Sequence, residues 1–368
     1  MNKTVRDGDH VETIVIGGGQ AGLTIGYELR QKNRDFVILD GGDRVGDAWR
    51  NRWDSLLVFN PARDLALPGL KLRVPGDAFV GKDVVADYLE DYACFHDLPV
   101  LLRSRVRRLA HDGIRYLVEL SDQTLFSDNV VVAMSDDQIP RVPGFAPDLH
   151  PDIVQLHSSQ YKNPSQLQEG PVLVVGLGNS GADIGLEVSR GHQTFIAGKE
   201  TAHVPFRIET WFGRNVLVRL VRFVMLRVLN TSTPIGRRAR PNMIHLAAPL
   251  VRVKPKDLQA VAERVGRVTG VADGRPQLDD GRVLDVSNVI WCTGFTAGFD
   301  WIDLPVFDEQ GHPRHTRGVV ENQPGLYFCG LNFLHSVWSE TLTGMQIDAR
   351  YVIRHLDAAT PARAGASV

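Results

Sequence analysis

Gly17-Gly18-Gly19-Gln20-Ala21-Gly22 and Gly176-Leu177-Gly178-Asn179-Ser180-Gly181 repeat one spacing, G-x-G-x-x-G, each time directly behind a short apolar run. Ile14, Val15 and Ile16 feed the first turn, and Val172 to Val175 feed the second. A chain that leaves a strand and enters a helix through this spacing aims backbone N–H groups and the positive helix end at a pyrophosphate, and the glycines let that backbone come close. Two dinucleotides are therefore implied. Behind the first turn, a helical stretch with Leu23, Ile25, Gly26 and Leu29 leads into Phe36, Val37, Ile38 and Leu39, which end on Asp40. That acid lies about 18 positions beyond Gly22, where a carboxylate accepts hydrogen bonds from the adenosine ribose hydroxyls.

The elements that must position these turns can be read from the rest of the chain. Its 368 residues are long for one core and comfortable for two. Lysine plus arginine number 41 against 43 acids, a formal net charge of −2, so no global field argues for nucleic acid. Met1 to His10 reads as a charged lead-in to the first strand with no room for a signal peptide, and no apolar run is long enough for a bilayer span, so a cytoplasmic location is expected. Cys94, Cys292 and Cys329 form no C-x-x-C pair and no zinc pattern, which argues against disulfide-relay chemistry and against a metal site.

Residues 81–95 read as an amphipathic helix. The runs Val100 to Leu102, Val106 to Leu109, Tyr116 to Leu120 and Val130 to Ala133 read as an antiparallel meander returning to a buried strand. Pro140, Pro143, Gly144, Pro147 and Pro151 mark a crossing into a second unit, and Asp280-Gly281 before Val286 to Cys292 marks the return. The expected fold is α/β with two Rossmann-like dinucleotide-binding domains, the second inserted in the first. Residues 1–147 and 283–358 make one, residues 148–282 the other, and 359–368 a disordered tail.

In its two glycine turns and four further stretches the chain resembles the class B flavoprotein monooxygenases, above all the short bacterial flavin-containing monooxygenases and the plant YUCCA type. The four stretches are Gly46-Asp47-Ala48-Trp49-Arg50 with Arg52 to Leu56 and Leu67-Pro68-Gly69; His157 to Tyr161; Trp291 to Phe295; and Pro324 to Gly330. Departures accompany the likeness. Pro151 and Ile153 stand where the family fingerprint has Phe and Gly, leaving His157 and Tyr161, and the first linker reads Ala133-Met134-Ser135 in place of A-T-G.

The resemblance implies bound FAD, NADPH as reductant with NADH as the second choice, and dioxygen. Reduced flavin forms a C4a adduct that a soft nitrogen or sulfur nucleophile attacks, so no side-chain nucleophile is required. The implied substrate is small and lipophilic. Baeyer-Villiger or carbon oxygenation, an oxidase or reductase, and a non-catalytic flavin redox sensor stay open as alternatives. By the same likeness Gly17, Gly19, Gln20, Ala21, Gly22 and Asp40 hold FAD, and Trp49 and Arg50 pack near its ring, with a plain core aromatic as the other reading of Trp49. Asn60, before Pro61, sits where relatives keep a polar residue beside the flavin, although Asn-Pro is also a turn device. Gly330 and Leu342 belong to the flavin edge, where 341–345 reads as a helix start. Gly176, Gly178, Asn179, Ser180 and Gly181 take the nicotinamide cofactor's pyrophosphate, Thr293 and Gly294 form the second linker, and Lys199 meets a 2′-phosphate while Glu200 suits a bare ribose.

Arg214 to Leu229 is the odd segment. Val216, Leu217, Leu220, Val221, Val224, Met225 and Val228 read as one broad apolar face, with Arg219 and Arg222 opposite. A lid over the substrate pocket is the expected role, with peripheral membrane contact as the lesser alternative. A homodimer is compatible with the sequence.

Overall fold

The computed structural model describes residues 3–199, 201–244 and 248–359. Two sheets of mainly parallel strands organise them. The first runs β3-β2-β1-β6-β5-β4, with β16 beside the second half of β6; its strands are β1 (His10–Ile16), β2 (Phe36–Leu39), β3 (Val100–Leu101), β4 (Arg108–His111), β5 (Tyr116–Glu119), β6 (Thr124–Val132) and β16 (Leu326–Phe328). The second is wholly parallel in the order β11-β10-β9-β14-β8, from β8 (Val154–His157), β9 (Val172–Val175), β10 (Thr194–Ala197), β11 (Glu263–Val265) and β14 (Asn288–Trp291).

Strand periodicity divides the cores. In the first sheet Val15, Ile38, Val131 and Tyr327 face helices α1 (Gln20–Gln31), α3 (Lys82–Phe95) and α8 (Met345–Ala359), while Ile14, Ile16, Val37, Leu39, Val130, Val132 and Phe328 face the other way with Phe299, Ile302 and Val306. The second sheet alternates likewise, Val172, Val174, Ile196 and Ile290 against Leu173, Val175, Ala197, Val289 and Trp291. Strands covered on both faces read as unbroken apolar runs, which is why Val172 to Val175 carries no polar residue.

One expectation changes. Val100–Leu101 is no part of the meander; it pairs in parallel with Ile38 and Leu39 at the sheet edge, because the chain comes back from α3 and not from a hairpin. The meander itself is β4, β5 and β6, antiparallel through Arg108↔Glu119 and Tyr116↔Ser127. The hairpin before the return is β12 (Val268–Ala272) with β13 (Arg275–Leu278).

The connections between the sheets lie side by side. β7 (Ile139–Pro140) pairs antiparallel with β15 (Phe295–Thr296), so the outward and returning chains form one two-stranded ribbon. Arg141 fastens it, donating from Nε and Nη2 to the Thr293 carbonyl at 2.9 and 2.7 Å, while the Arg141 N–H donates to the Gly294 carbonyl at 2.9 Å. Four further helices carry the 179–259 region: α4 (Asn179–Val188), α5 (Val218–Arg227), α6 (Pro234–Met243) and α7 (Pro255–Gln259). Among the described residues no helix is long and apolar enough to cross a membrane.

Candidate dinucleotide and flavin site

The first turn leaves β1 at Gly17, whose φ of +108° puts it in the left-handed region; a Cβ there would stand 2.8 Å from the Ala133 carbonyl oxygen. At Gly22 a Cβ would stand 1.8 Å from the Gly17 carbonyl oxygen, so only glycine lets α1 start this close to the strand it follows. Gly19 is the N-cap, with no side-chain cap, and a Cβ added to it meets nothing within 4 Å. Helix α1 thus presents uncapped backbone donors to open space. Asp40 takes its expected place at the end of β2, where its two oxygens accept from the N–H groups of Gly18 at 2.6 Å and Gly42 at 2.7 Å.

The second turn repeats this geometry. Gly176 has φ of +109° with the Cys292 carbonyl oxygen 2.2 Å from a Cβ placed on it, and Gly181 meets the Gly176 carbonyl oxygen at 1.9 Å. Gly178 is an N-cap without a side-chain cap and opens on empty space. Asn179 is bound elsewhere: its amide donates to the Pro249 carbonyl at 3.1 Å and accepts from the Val251 N–H at 3.0 Å, tying α4 to the segment at 249–251. Ser180 is half-buried and Lys199 exposed, just past β10. Glu200 lies outside the described residues, as do residues 360–368 of the expected tail.

Other sequence-marked residues gather around the first turn. Trp49 donates from its indole N–H to the Gln20 amide oxygen at 3.2 Å, and Gln20 donates to the Glu340 carbonyl at 3.2 Å, so one glutamine joins α1, the short helix α2 (Asp47–Arg50) and the segment before α8. Leu342, Ala21, Val58 and Ala62 share one apolar cluster, with Trp49 packed on its rim. A Cβ on Gly330 would lie 3.1 Å from the Ala21 Cβ. Arg50 turns toward α3, where it meets Asp87 at 2.8 Å and Glu90 at 3.1 Å. Asn60 is 8 % exposed, and its amide forms no hydrogen bond with the described residues. The helix expected from Thr341 begins at Met345; Thr341 instead accepts from the Gly344 N–H at 3.1 Å and closes the turn before it.

The Trp49–Leu56 and His157–Tyr161 motifs meet. Trp53 shares a core with Tyr161, and the Asp54 N–H donates to the Lys162 carbonyl at 2.8 Å. His157 is 2 % exposed, and burial holds its imidazole below the ordinary range, against the opposing pull of the Gly294 carbonyl. Neutral, it donates from Nε2 to that carbonyl at 3.1 Å and accepts at Nδ1 from the Ser159 N–H at 3.2 Å. Phe295 stands edge-on to this ring with centroids 5.0 Å apart, and the Arg52 guanidinium lies 5.7 Å from the Phe295 centroid. His157 and Thr293-Gly294 were legible as motifs; Arg141, which fastens them, carries no sequence signal beyond following Pro140.

Residues 14–208 match the family model described as pyridine nucleotide-disulphide oxidoreductase. The chain is 37 % identical to an uncharacterized oxidoreductase, CzcO-like, of Geobacillus kaustophilus, over 94 % of this chain and 98 % of that protein. It is 24 % identical to the probable indole-3-pyruvate monooxygenase YUCCA3 of Arabidopsis thaliana, over 92 % and 85 %. The solved flavin-containing monooxygenase of Stenotrophomonas maltophilia is similar with a TM-score of 0.74 and 27 % identity, over 95 % of this chain and 99 % of that one. All three cysteines are free thiols, so the disulfide in the family description has no counterpart here. The chain belongs to the pyridine nucleotide-disulphide oxidoreductase family and is an oxidoreductase of the class B flavin-monooxygenase-like kind.

Proposed function

We propose that the chain is an FAD-dependent NADPH:dioxygen monooxygenase that transfers one oxygen atom to the nitrogen or sulfur of a small lipophilic substrate. One juxtaposition carries the reading: two uncapped glycine-started helices, each behind a parallel strand of its own sheet, with the two sheets joined by a paired ribbon. Both turns fit a pyrophosphate, because the space before Gly19 and Gly178 is open and the donors there have no side-chain partner. The relatives named as flavin and indole-3-pyruvate monooxygenases support the same chemistry.

In this reading residues 1–147 and 283–358 bind FAD and residues 148–282 bind NADPH, with NADH as the poorer donor. Gly17, Gly19, Gln20, Ala21 and Gly22 hold the FAD pyrophosphate, and Asp40 accepts from the ribose while keeping its own turn together. Gln20 sets the tilt of Trp49, which borders the isoalloxazine with Gly330 and Leu342. Arg50 acts at one remove, by pinning α2 to α3. Gly176, Gly178, Ser180 and Gly181 hold the nicotinamide cofactor's pyrophosphate, Asn179 fixes the adjoining loop, and Lys199 offers a 2′-phosphate a point charge without a guanidinium's fork. Thr293 and Gly294 carry the ribbon that sets one half against the other.

Bound FAD, once reduced, supplies the activation of dioxygen. The chain supplies a dry, fixed environment. Asn60 is 8 % exposed and its amide has no hydrogen-bond partner among the described residues, which leaves it free to donate to an oxygen atom. The test is turnover of the FAD-loaded protein with NADPH, oxygen-18 gas and a thioether or tertiary amine. Labelled sulfoxide or N-oxide in step with NADPH consumption is expected; peroxide as the sole oxygen product would refute the reading.

A further inference from the structure

The segment from Trp211 to Ile244 turns its most apolar side chains outward. Its inner side is fastened by polar bonds: Arg222 pairs with the buried Asp64, Arg63 donates to the Asn215 side chain at 3.1 Å and to the Arg214 carbonyl at 2.7 Å, and Arg214 meets Asp77 at 3.2 Å. With two arginines serving the protein side, the outer side keeps Trp211 at 69 % exposed, Phe212 at 56 %, Leu220 at 56 % and Phe223 at 59 %, with Val216 beside them and Ile235 at the start of α6. Val216, Leu220, Phe223 and Arg227 follow one another at helical spacing along a single stripe. The broad apolar face expected from the sequence is therefore split, with Val216 and Leu220 turned to solvent.

Charge completes the pattern. Arg219, Arg227, Arg237 and Arg238 are exposed around the stripe, and no Asp or Glu occurs from Thr210 to Ile244, in a chain whose formal net charge is −2. Scattered exposed leucines need no explanation, but a helical stripe of exposed aliphatic and aromatic side chains with Trp211 and Phe212 at its start and arginines beside it does. A second copy docking face to face would set arginine against arginine, since an isologous contact brings the same patch to both sides. A bilayer rich in anionic lipid satisfies both halves: aromatic and aliphatic side chains enter the headgroup boundary while the guanidinium groups meet phosphates.

We propose that the outer face of residues 211–238 docks this protein on an anionic membrane surface, lying on the bilayer without crossing it. The full-length FAD-loaded protein is floated with vesicles of phosphatidylcholine alone and with phosphatidylglycerol at about 30 mol %, at about 0.1 M and about 0.5 M salt. Partitioning onto the anionic vesicles is expected to be at least about tenfold stronger than onto the neutral ones, to weaken in the higher salt, and to fall at least about tenfold in the double variant Leu220→Glu, Phe223→Glu. Unchanged flavin content and melting temperature in that variant show that the loss is one of surface and not of fold; if it misfolds, Arg219→Glu with Arg238→Glu takes its place. Equal partitioning onto both vesicles, or binding that survives either pair of changes, overturns the proposal. So does a dimer in sedimentation equilibrium that Phe223→Glu dissociates while the wild-type protein ignores vesicles. Because the readout is partitioning, it stands apart from whether the protein oxygenates anything.

Discussion

Asn60 and Asp348 are two buried polar residues with opposite consequences. Asn60 bonds to none of the described residues, so Asn60→Ala removes no protein hydrogen bond, and its melting temperature is expected within about 2 °C of wild type. The same change is expected to raise peroxide release per NADPH at least about tenfold, by losing a donor to oxygen. A matched fall in stability with unchanged coupling would make Asn60 a turn residue. Asp348 is fully buried on α8, 4.0 Å from the Arg317 guanidinium, and burial pushes its carboxyl up to about 7. The folded state thus keeps a proton that the unfolded chain releases near pH 4, so this group's share of stability is whole at low pH and lost as pH climbs to about 7. Asp348→Asn cannot titrate. Its melting temperature relative to wild type is expected to rise by about 3 °C or more between pH 5 and pH 8; a constant offset across that range would contradict the assignment. Asp40 was legible because its place at a strand end is set by spacing, whereas nothing in the sequence of 340–350 separates a buried Asp348 from a solvated one.

The glycine turns separate the two halves of the proposed site. In Gly22→Ala the new methyl would stand 1.8 Å from a carbonyl oxygen of the first turn, and in Gly181→Ala 1.9 Å from one of the second. Gly181→Ala is expected to retain FAD absorbance while the NADPH KM rises at least about tenfold, and Gly22→Ala to lose FAD; both variants failing alike in FAD binding would break the division of labour. These turns were readable because steric exclusion leaves a mark in residue type. The orientation of α5 was not, for an apolar helix does not say which side is fastened, and the fastening acid, Asp64, lies 158 residues before Arg222. Arg222→Ala leaves that 7 % exposed carboxylate without its partner, and a loss of about 2 kcal/mol in denaturant unfolding is expected. No loss would mean that the inner face is held by packing alone. The strand at 100–101 was misread for a related reason: two apolar residues fit a meander or a sheet edge equally, and the chain's path out of α3 decides between them.

Across the whole molecule the two sheets meet through the β7–β15 ribbon, with Arg141 clamping Thr293 and the neutral His157 holding Gly294. Both sheets were legible as apolar runs that lead into glycine turns. The ribbon was visible only as prolines and a Thr-Gly pair, because pairing between segments more than 150 residues apart leaves no local pattern. Such an assembly fits a protein that carries electrons from one dinucleotide to another and on to dioxygen, with no cysteine pair to divert them. The central claim is that the oxygen is held for a substrate and not released as peroxide. It is tested most directly by rapidly mixing the NADPH-reduced, FAD-loaded protein with oxygenated buffer while following flavin absorbance and peroxide. The account predicts a delayed return of oxidised flavin, with little peroxide until an added thioether shortens the delay and leaves as sulfoxide. Immediate return with one peroxide per flavin, unchanged by the thioether, would contradict it.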